Sequence, residues 1–186
     1  TADYAERYPV ELGVEFGDMV AIGTNLALAK DGSRVPILSK TSRPYQSDII
    51  GIVSDNDGDF SSIGYNILEK DNPKSVALNG RLPVKVSTEG GAVKRGDKIT
   101  SSSLAGIGMK ATTSGNVVGI ALNDFDPMSN AADLASTADA LLPNGSSVKV
   151  GEILVFVNMG YAKLDTGAGA LASGAGDAQC RSSRGN

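Results

Sequence analysis

The first residues along the chain whose side chains could catalyse a reaction are the two acids of "DYAERY", residues 3–8. Asp3 and Glu6 stand three positions apart, next to two tyrosines and an arginine. On a helical turn the two carboxylates would share a face, whereas on a strand they would point to opposite sides. A carboxyl pair can act as acid and base when its surroundings separate the two pKa values. The spacing by itself favours a charged surface segment, because such a pair of acids is common by chance.

The chain contains no histidine, and this excludes several kinds of catalysis. Ser-His-Asp triads, Cys-His pairs and histidine-ligated zinc all require that side chain. Cys180 is the single cysteine, so no internal disulfide can form. Any catalysis must therefore use carboxylates, Lys, Tyr, Ser/Thr or backbone groups. With no CxxC pair, glycine-rich phosphate loop or metal-ligand motif in the sequence, no cofactor and no metal is expected.

A second candidate site is the serine-rich segment "TSSSLAG", residues 100–106. Successive backbone amides in such a turn can bind an anion, and its hydroxyls can bind a sugar. Ser101, Ser102 and Ser103 are the candidate binding residues. The alternative, which the pattern favours, is a strand that ends in a solvated turn.

Length and charge limit the class of protein. The 186 residues suit one domain, and the net charge of −4 gives no long-range attraction for nucleic acid. No apolar run approaches the roughly 20 residues that a membrane helix needs. We therefore expect neither nucleic-acid binding nor membrane insertion.

Short β-branched runs separated by Gly, Asp and Asn predict a mainly β fold. The predicted strands are 18–22, 48–54, 81–87, 97–102, 117–122 and 152–158. A repeat is also visible, because "VEFGDMV" (14–20) parallels "VKRGDKI" (93–99), and each precedes a similar strand, "IIGIVSD" or "VVGIALND". A third, weaker copy is "VKVGEILVFV" (148–157). Repeated Gly-Asp turns that each launch a strand predict a compact β-barrel or β-clip.

Two segments depart from this pattern. The Ala/Leu-rich stretch at about 129–142 has a helical spacing of apolar residues and predicts one short inserted helix. The sequence of 164–186 is rich in Gly, Ala and Ser without periodicity, which predicts a flexible tail or linker after a β-rich domain over 1–163.

The order of these motifs resembles the intramolecular-chaperone autocleavage domain of bacteriophage appendage and tail-fibre proteins. The resemblance lies in "ADYAERYPV", then a Gly-Asp turn, then "DIIGIVSDNDG". The second half, from "GRLPVKVSTEGG" to "ILVFVN", is similar to modules of phage tail and bacterial surface-fibre proteins. Together the similarity covers roughly residues 2–158, the helix insert excepted.

The resemblance implies a trimeric domain that helps fibre chains fold and align, on a virion or at a cell surface. In cleaving members the scissile bond lies before the motif's Asp, which would be the Ala2–Asp3 bond here, with Asp3 and Glu6 as the catalytic carboxylates. Because Thr1 and Ala2 still precede Asp3, we expect a relative that keeps the fold without the reaction. Enzyme activity is therefore uncertain, and would be autoproteolysis.

Two other functions stay open at this point. One is a structural subunit of a bacterial extracellular filament or surface layer, assembled by strand addition. The other is a glycan-binding β-clip that uses the serine-rich turn. In each case the expected partners are further copies of the chain, other virion or fibre proteins, or a sugar.

Overall fold

The computed structural model describes residues 2–55, 61–62, 66–128 and 137–164, and over these residues the chain is mainly β, as predicted. Eleven strands form one sheet, joined by loops and two 3₁₀ turns at Glu69–Asp71 and Thr88–Gly90. The strands are β1 (Ala2–Pro9), β2 (Met19–Leu28), β3 (Arg34–Lys40), β4 (Ile49–Val53), β5 (Ser61–Ser62), β6 (Pro73–Ser87), β7 (Lys98–Ser101), β8 (Gly108–Lys110), β9 (Gly115–Ala121), β10 (Ala138–Leu141) and β11 (Ser147–Ala162).

The strands close into two rings that share β6. In the C-ring, the order is β6, β8, β7, β9 and β11, and antiparallel pairing of β11 with β6 closes the circle. In the N-ring, the order is β1, β6, β4, β2 and β3. A parallel bridge between Val10 and Leu38 closes this second circle. The first half of the long strand β6 thus belongs to the N-ring and its second half to the C-ring.

The repeated Gly-Asp turns occupy equivalent places in the two rings. Gly17 and Gly96 have φ values of +78° and +90°, which glycine adopts without strain. In each turn the Asp side chain accepts a hydrogen bond of 2.8 Å from the amide three residues earlier. Each turn also accepts an equivalent backbone hydrogen bond from a neighbouring strand. Val53 N of β4 donates to Asp18 O, and Ala121 N of β9 donates to Asp97 O, both at 2.9 Å. The predicted repeat is therefore confirmed at the level of hydrogen bonds.

The interiors of the rings follow the same correspondence. The equivalent positions, set by strand register, are all buried and apolar. They are Val10 and Val86, Val14 and Val93, Val20 and Ile99, Val53 and Ala121, and Val76 and Val155. Each ring thus has a small, mainly aliphatic interior, and Phe125 is the one aromatic side chain buried in the cluster that fills the C-ring among the described residues.

The third predicted copy of the turn is wrong. Gly151 lies inside β11 instead of in a turn, and it pairs with Val86 of β6. A Cβ at Gly151 would lie against the ring of Phe125, so the glycine serves close packing in the strand.

All six predicted segments are confirmed as strands, although β2, β6 and β11 extend well beyond the predicted bounds. The predicted helix over 129–142 is wrong where the structure describes it. Residues 138–141 form β10, which pairs antiparallel with β11. Asp139 and Lys149 are direct cross-strand partners, 2.6 Å apart, and cross-strand pairing of this kind overrides a modest helix propensity. Residues 129–136 lie outside the described residues, as do residues 165–186 of the predicted tail.

Candidate functional site

The motif "DYAERY" forms β1, so its two acids lie on opposite faces of one strand. Asp3 is opposite Gly80 and Glu6 opposite Val76 in the antiparallel pairing with β6. Asp3 is buried, at 5% exposure, on the same face as Ala5. Because successive strand residues alternate, Glu6 projects from the other face. The backbone of β1 therefore separates the two carboxylates, and they do not converge on one group within a single chain.

Glu6 is instead held between two phenols of the same strand. The Tyr4 hydroxyl donates to Glu6 Oε1 at 3.4 Å, and the Tyr8 hydroxyl donates to Oε2 at 3.0 Å. Burial, followed by the hydrogen bond to Glu6 and the charges of Glu6 and Tyr4, raises the pKa of Tyr8 to about 12. Tyr8 packs on the interior of the N-ring, whereas Tyr4 is 49% exposed. The result is a small anionic, aromatic surface, which we call the β1 ladder (Tyr4, Glu6, Tyr8).

The serine-rich turn lies at the end of β7, and its first hydroxyl is used inside the protein. Ser101 is fully buried. Its Oγ donates to Arg43 O at 2.8 Å and accepts from Gln46 N at 2.9 Å. These bonds tie the loop after β3 to the C-ring.

The other two serines are also engaged with protein groups. Ser102, likewise fully buried, donates from Oγ to Ile107 O at 2.7 Å. Ser103 donates from its amide and its hydroxyl to the Glu89 carboxylate, at 2.8 and 2.5 Å. Together the three serines fasten the turn to its surroundings, and their hydrogen bonds are those of a structural connection.

A buried carboxylate that the sequence analysis did not single out lies where the rings meet. Asp18 is 1% exposed, and its two oxygens receive Lys85 Nζ at 2.7 Å and Lys40 Nζ at 2.9 Å. Lys85 also reaches Glu15 at 3.4 Å. Burial opposes the charge of Lys85, but Asp18 and then Glu15 outweigh it and raise the pKa of Lys85 above its ordinary value.

The equivalent carboxylate of the C-ring has a weaker environment. Asp97 accepts from Lys110 Nζ at 2.9 Å, with side-chain exposures of 22% and 33%. Lys110 holds the place in β8 that Lys40 holds in β3, since the residue after each lysine binds the carbonyl of the residue after its aspartate. The Gly-Asp repeat in the sequence was the signal that could have located both ion pairs.

Tyr45 is the other polar residue that the sequence analysis passed over. Its backbone has φ +53°, and its ring lies against Gly115, where a Cβ would not fit. Its hydroxyl oxygen accepts from the amides of Thr112 and Thr113, at 2.8 and 3.0 Å. Burial acts to raise the pKa of Tyr45, but the hydrogen bonds from both threonines outweigh it and lower that pKa below its ordinary value.

Within the part of the chain that the structure describes, no group of three or more His, Cys, Asp or Glu side chains could hold a metal ion. In the same part, no helix has the length and apolar character to cross a bilayer.

Comparison with known proteins gives no family for this chain. No protein-family model matches the sequence, and a search of the curated proteins finds no match. The resemblance to the fibre domain therefore stands on the motif order alone.

The buried ion pair predicts an asymmetry between the two equivalent aspartates. Asp18→Asn should lower the free energy of unfolding by about 3 to 5 kcal/mol, because it leaves two ammonium groups beside a neutral amide. Asp97→Asn should cost about 1 kcal/mol, since its partner is partly exposed. Both substitutions keep an oxygen that can accept the turn hydrogen bond, so the comparison isolates the charge. Urea unfolding of the two variants measures the difference, and equal losses would contradict the role of Asp18.

The tyrosines predict a wide spread in phenol ionisation. Of the five tyrosines, Tyr45 should ionise below the ordinary value and Tyr8 near pH 12. Glu6→Gln should lower the pKa of Tyr8 only in part, because burial is the larger cause. Since the folded pKa is raised, the contribution of Tyr8 to stability is complete below pH 10 and is lost as the pH rises through about 12.

Phenolate absorbance during an alkaline titration measures these steps. Tyr8→Phe should remove a step near pH 12, and Tyr45→Phe a step below the ordinary tyrosine pKa. If Tyr8→Phe left the step near pH 12 in place, the environment assigned to the β1 ladder would be wrong.

Proposed function

We propose that this chain is a structural assembly module of a phage tail or appendage fibre, which brings identical chains into register as a homo-oligomer, a trimer in the resembled family. The observation that carries the proposal is an exposed apolar surface on the C-ring. Phe156, on the outer face of β11, is 40% exposed, and Leu122, directly after β9, is 36% exposed. Exposed apolar area of this kind marks association surfaces.

The uses of the polar side chains support a structural role. The hydroxyls of Ser101, Ser102 and Ser103 bind protein groups, which weakens the case for a glycan-binding β-clip. Asp18, the most buried carboxylate with lysine partners, fastens the two rings together. These groups contribute to the stability of one packed unit instead of forming an open site.

Self-cleavage before Asp3 has weaker support, because Asp3 and Glu6 lie on opposite faces of β1. Were the reaction to occur, acid and base would have to come from different chains or from a rearranged strand. The intact mass of a longer chain, with and without Asp3→Ala, tests this directly. Cleavage at the Ala2–Asp3 bond that disappears in the variant would establish the reaction, and an uncut parent would end it.

An extracellular filament assembled by strand addition is the alternative that one observation favours. Among the described strands β10 ends the sheet, with β11 on one side only. Its free edge could accept a strand from a neighbouring chain. Pro substituted at an outward-facing amide of β10 would then block assembly, whereas a fibre module that associates through the face of the C-ring would be unaffected.

The oligomeric state tests the proposed function. Sedimentation velocity of the 186-residue chain from 1 to 100 micromolar should show a species larger than the 19.0 kDa monomer, with a trimer expected. Phe156→Ser should shift it towards monomer, because the variant removes apolar area from the association surface. A protein that stays monomeric over this range would contradict the proposal.

A further inference from the structure

The outer face of the N-ring carries a row of four cross-strand neighbours that is entirely covered. The row consists of Ala5 (β1), Ala77 (β6), Ile52 (β4) and Met19 (β2). Each of these side chains is no more than 1% exposed. They face away from the N-ring interior, since their strand neighbours, among them Val20, Val53 and Val76, form that interior.

The cover is the C-ring of the same chain. The row belongs to one apolar cluster with Leu82 and Val84, which line the C-ring. Gly108 of β8 has no side chain, and the tip of Met19 occupies the space that a Cβ there would need. The outer row of the N-ring therefore closes one end of the C-ring, as repeats stack in a solenoid.

The C-ring has the equivalent row on its own outer face, and no residue of the chain that the structure describes covers it fully. The row consists of Arg81 (β6), Phe156 (β11), Ile120 (β9) and Lys98 (β7), which are cross-strand neighbours in the same order. Phe156 is 40% exposed, Arg81 is exposed, and the other two are partly buried. This cationic row has an apolar centre and a positive charge at each end.

A second line of residues enlarges the apolar centre. Leu122 and Leu154, joined by a backbone hydrogen bond of 2.8 Å, lie beside the cationic row. In the N-ring the equivalent positions are Ser54 and Ser75, joined by a bond of 2.9 Å. Both positions are therefore leucine on the exposed outer face of the C-ring and serine on the covered outer face of the N-ring.

The N-ring also has an end that is equivalent to the end of the C-ring covered by the N-ring. By strand register, Leu82 corresponds to Glu6 and Val84 to Tyr8. Leu82 and Val84 are fully buried, whereas Glu6 and Tyr8 are half-buried and Tyr4 is exposed. The β1 ladder is therefore the receiving end of a ring that has no preceding ring in the described chain.

We propose that the cationic row of one copy docks on the β1 ladder of the next copy, which repeats between chains the contact made within each chain. This inference rests on the proposed assembly function and specifies its surfaces. The charges match, because Arg81 and Lys98 would meet Glu6, and Phe156 would meet the tyrosine rings. Arginine also binds well against an aromatic face. The contact is head to tail, so it closes into a small ring such as a trimer or extends as a filament.

Charge exchange across the contact tests the proposal. Arg81→Glu and Glu6→Arg should each weaken self-association of the full chain at least tenfold in sedimentation velocity. The double variant should regain association, because every head-to-tail contact again joins opposite charges. A 1:1 mixture of the two single variants should regain association in a filament but not in a trimer, since an odd ring leaves one contact between like charges. Arg34→Glu makes the same charge change at an exposed position outside the row and should leave association unchanged. Circular dichroism checks that each variant is folded.

The outcomes separate this inference from the proposed function. If the parent associates and both single variants associate equally well, the docking surfaces are wrong and the assembly function stands. If the single variants weaken association but the double variant does not restore it, the two surfaces do not meet and the inference is overturned. A monomeric parent would contradict both.

Discussion

Sharing of β6 between two rings is the constraint on which the rest of this structure depends. Because one continuous strand serves both circles, the outer face of the first ring is brought against the open end of the second. That contact explains why a row of Ala5, Ala77, Ile52 and Met19 is apolar and fully covered. It also explains why equivalent positions in the second ring have different residues. The same four strand positions are thus covered in the N-ring and partly exposed in the C-ring, and their side chains differ accordingly.

The same asymmetry accounts for the difference in burial between the two ion pairs. Asp18 and Asp97 hold identical positions in their turns and make the same turn hydrogen bond. Asp18 lies at the junction of the rings, where the second ring excludes water and supplies Lys85. Asp97 lies on the far side, in partial contact with solvent. The packing of one ring on the other buries the charge of Asp18, and this charge needs a partner from the neighbouring ring because desolvation without compensation is costly.

Much of this fold follows from local sequence patterns. The β-branched runs and the Gly-Asp turns were sufficient to predict six strands and the repeat, since both depend on short-range geometry. Closure into rings and the strand character of 138–141 depend on pairing between distant segments, which a local pattern does not contain. Whether Asp3 and Glu6 share a face depends on whether "DYAERY" is a helix or a strand, and its pairing with β6 makes it a strand. Ser101, Ser102 and Ser103 were located on the correct turn, but their partners come from elsewhere in the chain.

Repetition between chains of the contact that the two rings make within each chain is tested most directly by the structure of the assembled protein, determined by electron cryomicroscopy. We expect Phe156 and Arg81 of one copy to lie against Tyr4 and Glu6 of the next, arranged as the covered row of the N-ring is arranged against the C-ring within one chain. An assembly in which the β1 ladder and the cationic row both face solvent would contradict it.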